Sequence, residues 1–331
     1  MKFGVRLPNS GPLAARKNLV TVAEEAENLG YHSVWVHDHI LWGTEQHKTH
    51  LSAGSAEALS EAQRPNFYES IATLSYVAGM TKKIGLGVAV LILPLRNPII
   101  LAKQLSILDV LSEGRLLVGF APGAPNITKP EFEAVGVSYE ERGKITDEYL
   151  ACIKKIWAEN LPSFSGSFTK FEEIQMFPKP FQNPIPTLIG GGERGISPRA
   201  LKRVIEFGDG WIPAYLTPEE AEQGIRKIRL GFDGVGRDKS KLVVAHEMFT
   251  LIDDDPSNAR SLAAKSLASN FISAEEGINR SLVGSPEEIE RKLERYAEAG
   301  IQITELKFIY QDIPSLVKMM KLFGKKVSSS F

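Results

Sequence analysis

Three consecutive ionisable side chains, His37, Asp38 and His39, stand at the end of a short apolar segment of this sequence. Histidine has an ordinary pKa close to neutral pH, so it can give or take a proton in catalysis. A carboxylate beside it can fix its tautomer, orient a loop or raise a neighbour's pKa. We therefore predict that His39 and Asp38 are the catalytic residues of a site that lies where this segment ends.

The spacing of His37 and His39 also suits a metal site, because paired histidines can ligate one ion. Such a site needs further ligands at the ends of later strands. The only histidine on a later predicted strand is His246, and no Asp, Cys or His stands near it. We therefore predict that the site holds no metal ion.

A glycine-rich turn, Gly190, Gly191 and Gly192, follows another apolar segment and precedes a predicted helix that begins near Ser197. Successive glycines let backbone N–H groups approach an anion closely, and a helix amino terminus adds positive potential. Arg194 supplies a cation in the same turn. We interpret this turn as a phosphate-binding element, although its spacing is neither that of a Rossmann fold nor that of a Walker motif.

The longest apolar run, from Ile84 to Leu93, predicts a strand over 84–92 that is buried on both faces, as in parallel sheets. Asn97 and Pro98 then open a predicted helix, and another strand begins near Arg115. Strand, helix and strand form a right-handed βαβ crossover. Most side chains of the run should be core, while its glycines and Ala89 would leave room for a flat ring system against the backbone.

Repetition of this unit predicts the fold. Apolar segments separated by helical patterns recur at 2–7, 33–37, 84–92, 115–121, 187–190, 210–213, 242–251 and 303–309. Eight βα units favour an α/β fold of the TIM-barrel type over an open doubly wound sheet. We predict insertions after strands two, four and seven, at 41–66, 122–139 and 252–284, with 41–66 as a lid over the site. Residues 1–331 are expected to form a single domain.

Composition limits the possible partners. The 331 residues carry a formal net charge of −1, which argues against nucleic acid or an anionic membrane as the main partner. The single cysteine, Cys152, excludes an internal disulfide, and no apolar run approaches the roughly 20 residues of a membrane span. The first residues form a predicted strand instead of a signal-peptide pattern. We expect a cytoplasmic protein that acts on a small organic molecule.

Taken together, these stretches resemble the luciferase-like flavin-dependent oxidoreductases, a family that shares a TIM-barrel fold. The resemblance covers nearly the whole chain, and the segments that carry it in order are 26–39, 84–98, 108–119, 132–136, 141–143, 189–192 and 207–211. The residues of these segments are most similar to those of the family branch that uses the deazaflavin coenzyme F420. Other branches use reduced FMN with oxygen.

The resemblance implies a position for the cofactor. Its ring would lie against the third strand at Ala89, Val90 and Leu91, where family members often have a non-prolyl cis peptide, here between Ala89 and Val90. The same resemblance implies that the glycine turn 190–192 and Arg194 hold the cofactor phosphate.

Further expectations also come from the resemblance alone. Asp38 and His39 would lie near the reacting face, Trp42 would form a wall of the substrate pocket, and the protein would be a homodimer. Some F420-dependent relatives carry a glutamate soon after strand four. This chain has alanine where that carboxylate would be expected, which argues against a sugar-phosphate dehydrogenase.

The resulting hypothesis is an oxidoreductase with a flavin-type cofactor, in which F420 exchanges hydride with a small organic substrate and His39 exchanges the proton. One alternative is an FMNH2/O2-dependent monooxygenase with FMN as its cofactor. Another is a non-catalytic flavin-binding protein, against which the ionisable residues 37–39 argue. A third is a barrel lyase with a Schiff-base lysine, Lys307, although this side chain is expected to face outward.

Overall fold

Eight parallel strands close into a barrel in the computed structural model, which describes residues 1–41, 66–124, 128–192 and 194–331. Each strand pairs with the next along the chain, and the last pairs with the first, Lys2 lying opposite Ile303. The strands are β1 (Lys2–Arg6), β2 (Ser33–Val36), β3 (Gly85–Ile92), β4 (Leu116–Ala121), β5 (Thr187–Gly190), β6 (Gly210–Ile212), β7 (Val243–Ile252) and β8 (Ile303–Phe308). The predicted α/β TIM-barrel fold is confirmed.

Helices surround the barrel and connect its strands. They are α1 (Arg16–Asn28), α2 (Ser70–Ala78), α3 (Pro98–Leu111), α4 (Lys129–Ala134), α5 (Arg142–Ala158), α6 (Pro198–Glu206), α7 (Pro218–Gly234), α8 (Pro256–Asn270), α9 (Ala274–Asn279), α10 (Pro286–Ala299) and α11 (Ile313–Lys326). Capping residues fix several of their starts: the Asn97 side chain accepts from the first N–H groups of α3, and Thr217 and Ser285 form capping boxes. In the described ranges, no helix has the length and apolar character that crossing a membrane requires.

The Trp35 side chain fills the lower part of the barrel interior. It is fully buried, and its indole N–H donates to Ser33 Oγ at 2.8 Å. A Cβ at Gly4 or at Gly87 would lie 2.2 Å from an atom of the indole. The glycine at position 87 therefore makes room for Trp35, not for a flat ligand as the sequence suggested. Ala89, which was also expected to leave room for a flat ring system, lies nearer than Gly87 to the carboxyl ends of the strands.

The long connections contain secondary structure of their own. The connection after β4 includes α4, and the connection after β7 includes α8, α9 and a short strand, Leu282–Gly284, which pairs with the end of β7. The predicted lid at 41–66 falls almost wholly outside the described residues. Between α5 and β5, two short antiparallel strands, Phe164–Ser165 and Lys170–Phe171, form a hairpin.

Candidate active site

Asp38 joins the ends of β2 and β3, at the end of the barrel where the carboxyl termini of the strands meet (the mouth). Its two oxygens accept from both terminal nitrogens of Arg96 at 2.6 and 2.7 Å. They also accept from Ser70 Oγ at 2.8 Å and from the backbone N–H of Ile92 at 2.9 Å. Asp38 is 3% exposed. A buried carboxylate that accepts from four donors is fixed in place, and these contacts favour a positioning role for Asp38 over the catalytic role predicted for it.

His39 is oriented by a residue that the sequence argument did not identify. Its Nδ1 lies 2.5 Å from Oε1 of Glu131, which comes from α4 and is 1% exposed. The other carboxylate oxygen, Oε2, accepts from the backbone N–H groups of Ile40 at 2.9 Å and Leu41 at 3.4 Å. Glu131 therefore supplies a carboxylate in the connection after β4, the region in which this chain has alanine at the position where the resemblance implied a glutamate. Its one sequence signal is its place directly before Phe132 in a family motif.

His37 contacts a different group of residues from His39. Its Nδ1 faces the Arg6 guanidinium, and its Nε2 lies 2.7 Å from Ser10 Oγ. The ring of Phe67 packs between the two histidines, 4.9 Å from the His37 ring centre and 5.4 Å from that of His39. His37 thus belongs to the barrel interior, and the two histidines do not form one metal-binding pair.

Four charged side chains lie inside the barrel beneath the mouth, and we call them the ionic cluster: Arg6, Glu247, Glu305 and Lys307. The Arg6 guanidinium donates to Glu305 through Nε and to Glu247 through Nη2, the second contact at 2.8 Å. Glu247 also accepts from the hydroxyl of Tyr215 at 2.5 Å and lies 3.4 Å from Lys307 Nζ. The prediction that Lys307 faces outward is wrong. The alternation of residues along β8 places Glu305 and Lys307 on the same inward face.

Burial dominates the electrostatics of the ionic cluster. It raises the pKa of Glu305 to about 7, against the opposing charge of Arg6, and Oε2 of Glu305 has no hydrogen-bond partner in the described part of the chain. Burial acts in the same direction on Glu247, but the charges of Arg6 and Lys307 overcome it and lower the pKa of Glu247 to about 2. Burial also lowers the pKa of Lys307. The cluster therefore contains one firmly ionised carboxylate and one that readily holds a proton.

The expected non-prolyl cis peptide is present between Ala89 and Val90, where β3 departs from regular pairing with β4. The Val90 side chain lies against one glycine of β4 and one of β5: a Cβ at Gly119 or at Gly190 would come 2.8 Å from Val90 Cγ1. Gly190 therefore supports this surface, and its contact differs from the phosphate role predicted for it. Leu91 is fully buried in the main core, so a ligand at β3 could reach only its backbone.

The predicted phosphate-binding turn has the expected backbone shape. Gly191, Gly192 and Gly195 have positive φ angles of 123°, 112° and 106°, and α6 then begins with Ser197 as its N-cap. The carbonyl of Gly191 accepts from the indole of Trp211 at 2.7 Å, which fixes the turn at the end of β5. Left-handed glycines before a helix amino terminus expose N–H groups to an anion, so the turn fits a phosphate.

Arg194 is paired near the phosphate-binding turn. Its side chain is 57% exposed and lies 2.5 Å from Glu276 of α9. Glu276 also pairs with Arg280, which makes a two-point contact with Glu220 at 2.7 and 2.9 Å. An anion at the turn would therefore share Arg194 with Glu276.

Other predicted residues lie apart or outside the described residues. His246 is fully buried in the layer between β7 and α10, its ring centre 5.1 Å from that of Tyr296, and burial lowers its pKa to about 3. Its Nε2 accepts from the backbone N–H of Leu216 at 3.0 Å. Across the described residues, no group of three or more His, Cys, Asp or Glu side chains is arranged to hold a metal ion. Trp42 lies outside the described residues.

Comparison with known proteins identifies the family. A model of the luciferase-like monooxygenase family matches residues 1–276. A barrel whose third strand carries the cis peptide, together with this match over most of the chain, shows that the protein belongs to the luciferase-like monooxygenase family. Members of the family are F420- or FMN-dependent oxidoreductases and monooxygenases, so the comparison supports a flavin-type cofactor.

Individual relatives represent both cofactors. The chain is 28% identical over 248 residues to an F420-dependent glucose-6-phosphate dehydrogenase of Kineococcus radiotolerans, covering 73% of this chain and 66% of the relative. It is 24% identical over 282 residues to an FMNH(2)-dependent dimethylsulfone monooxygenase of Pseudomonas putida, covering 74% and 75%. A solved F420-dependent secondary alcohol dehydrogenase, in complex with an F420–acetone adduct, has a TM-score of 0.79 at 20% identity over 100% of this chain and 99% of that chain, which shows the shared fold.

The contacts of Asp38 predict a stability effect. Replacing Asp38 with Ala removes the two-point partner of the partly buried Arg96 and leaves the Ile92 N–H without its acceptor. We expect the free energy of unfolding, measured with urea, to fall by about 3 kcal/mol. Asp233→Ala, which breaks an exposed pair with Lys239, should change it by less than about 1 kcal/mol. Equal effects of the two substitutions would contradict the positioning role.

The raised pKa of Glu305 predicts a pH dependence. Between its ordinary value of 4.5 and about 7, the unfolded chain loses this proton while the folded protein retains it, so this group lowers stability as pH rises through that window. The low pKa of Glu247 acts at lower pH, where stability is lost as pH falls from 4.5 towards 2. Glu305→Gln should therefore gain stability relative to the unsubstituted protein from pH 4.5 to about 7, then stay level. Urea unfolding across this range, with exposed Glu133→Gln as a control for the lost charge, would reject the assignment if the Glu305→Gln and unsubstituted curves ran parallel.

Proposed function

We propose that the protein is an F420-dependent oxidoreductase that transfers hydride to or from a small organic substrate. The observation that carries the proposal is the arrangement at the mouth. His39, paired with a buried carboxylate, stands at the end of β2, beside the strand β3 that contains the Ala89–Val90 peptide. A proton-exchanging group beside a ring-binding surface suits a reaction in which hydride and proton move separately.

The residues present fit a flavin-type cofactor, and the main chain would make most of its contacts. The backbone of Ala89 and Val90 would support the ring, with the Val90 side chain held in place by Gly119 and Gly190. The N–H groups of Gly191 and Gly192 would bind the phosphate. When bound, the cofactor supplies the hydride chemistry, while the protein orients it and excludes water.

His39 would handle the proton of the substrate. A group that donates or accepts a proton near neutral pH contributes about 10²–10⁴ in rate. In alcohol or carbonyl chemistry, for example, the proton would move between the substrate oxygen and the imidazole. The Asp38–Arg96 pair would hold the loop that carries His39, without taking part in the transfer.

The choice of F420 over FMN is supported by sequence similarity to F420-dependent relatives and by the F420 complex that shares this fold. The monooxygenase relative supports the alternative, an FMNH2/O2-dependent monooxygenase, because the same backbone surface would suit either ring. In the monooxygenase alternative, His39 would exchange a proton with the oxygen-containing reactant. Binding without catalysis is a further alternative, which steady-state turnover would exclude.

The predicted homodimer is part of the proposal and has one supporting feature. Ile100, Ile107 and Leu111 form an exposed apolar stripe along α3, with exposures of 61%, 37% and 72%. Such a stripe suits contact with a second copy of the chain. Light scattering on the purified protein would give twice the chain mass if the prediction holds and a single chain mass if it does not.

Cofactor titration tests the proposal most directly. We expect F420 to bind in the micromolar range, more tightly than FMN, as followed by fluorescence. Gly192→Ala should weaken binding at least tenfold, because position 192 has a left-handed φ and a Cβ there would lie 2.8 Å from the Gly195 carbonyl oxygen. Gly136→Ala is the matched control, since Gly136 is also left-handed but has open space at its Cβ. Tighter binding of FMN would favour the monooxygenase instead.

The role of His39 predicts a separation of turnover from binding. His39→Gln should lower kcat by about 10²–10⁴ while the cofactor Kd changes less than about twofold, because the proton transfer is lost and the ring surface is kept. His32→Gln, at the amino end of β2, should leave both quantities unchanged. Steady-state kinetics and fluorescence titration measure the two effects, and unchanged turnover of His39→Gln would remove His39 from the mechanism.

A further inference from the structure

We infer that Glu131 is a positioning residue that sets the tautomer and the orientation of His39. The effect on turnover rests on the proposed function, whereas the effect on the imidazole does not. The starting observation is the pair itself: His39 Nδ1 and Glu131 Oε1 lie 2.5 Å apart, and the carboxylate is almost completely buried.

The chemistry of the two groups assigns the proton. A carboxylate only accepts hydrogen bonds, so the nitrogen that faces it must carry the hydrogen. Neutral His39 therefore has its hydrogen on Nδ1 and its lone pair on Nε2, on the opposite side of the ring. In this tautomer Nε2 is the base, and after protonation it is the acid.

Glu131 also fixes where the ring stands. Its second oxygen accepts from the N–H groups of Ile40 and Leu41, so one carboxylate binds the ring and the backbone directly after it. Rotation of the ring away from Glu131 would leave a buried anion with fewer donors, which is costly. The edge-to-face contact with Phe67 limits rotation from another side.

The carboxylate is itself held on a packed element. Phe132, the next residue of α4, is fully buried against Ile92, the last residue of β3, and against Leu95, three residues further along the chain. This contact fixes the short helix α4 to the strand that would support the cofactor ring. The positions of Glu131, His39 and the β3 surface are therefore coupled through packing. Asp38 cannot replace Glu131 in this role, because its own donors occupy both of its oxygens.

Glu131→Gln tests the inference with little change in shape. The two backbone N–H groups need an oxygen acceptor, so the amide oxygen should face Ile40 and Leu41 and the amide NH₂ should face His39. Nδ1 must then accept, and the ring hydrogen moves to Nε2. Nitrogen-15 NMR of histidine-labelled protein, with the His39 signal assigned by His39→Gln, should show Nδ1–H before the substitution and Nε2–H after it. The same tautomer in both proteins would overturn the inference.

The NMR measurement needs neither cofactor nor turnover, so it remains decisive if the proposed function fails. Glu131→Asp keeps the carboxylate on a shorter side chain and should retain the Nδ1–H tautomer. Thermal unfolding by circular dichroism would show that each variant is folded. Glu133 is an exposed residue of the same helix and pairs with Lys129. Glu133→Gln should therefore change neither the tautomer nor the activity.

Kinetics provide the second test. Because a base in the wrong tautomer cannot take the substrate proton, Glu131→Gln should lower kcat by about 10² or more, with cofactor Kd within about twofold. Glu131→Asp should recover part of the loss. Since Glu131 acts through His39, the double variant with His39→Gln should be little worse than His39→Gln alone. Losses that multiply in the double variant, or normal kcat in Glu131→Gln, would contradict the positioning role.

Discussion

The carboxylate of Asp38 joins the ends of two neighbouring strands, and the rest of the mouth depends on this contact. Four donors from the end of β3, from Arg96 and from α2 surround it. Because side chains alternate along an extended segment, fixing Asp38 on one side directs His37 and His39 to the other. His37 then contacts Arg6 of the ionic cluster, and His39 pairs with Glu131 of α4. A residue that looks catalytic by its position thus has contacts that suit the placing of its neighbours.

Burying charged groups inside the barrel costs free energy, because the charges lose their contact with water, and the lower part of the barrel avoids this cost. There Trp35 fills the interior between Gly4 and Gly87, in a cluster of apolar side chains that includes Ala245 and Ile303. Above it, two cations and two carboxylates are buried together, and replacing such groups with apolar residues is often neutral or stabilising. The burial of these four charged side chains near the mouth is therefore better explained by the electrostatic field that they create there than by a gain in stability. Proteins depart from the rules of core packing mainly at functional sites, so this cluster is a candidate for a functional role.

The sequence predicts those features that depend on local pattern. Apolar runs located the eight barrel strands, and cap residues such as Asn97 and Ser197 located helix starts, because both signals are contained within a few neighbouring residues. The partners of the site side chains were harder to predict from the sequence. Glu131 meets His39 across 92 positions, and Arg6 meets Glu305 across 299. Such contacts follow from closure of the barrel, which composition and periodicity do not encode.

Some of what was missed was nevertheless accessible. Glu305 and Lys307 are two residues apart on a predicted strand, so they must share a face, and two charges on the inward face of β8 would have signalled the ionic cluster. The surface that would hold a cofactor is different, because the main chain forms it: the Ala89–Val90 peptide, the Gly191–Gly192 turn and the start of α6. A main-chain surface of this kind can serve more than one ring system. What distinguishes one member of the family from another should then lie in the side chains that move protons and contact substrate, and here the candidate for proton exchange is His39, with Glu131 paired to it.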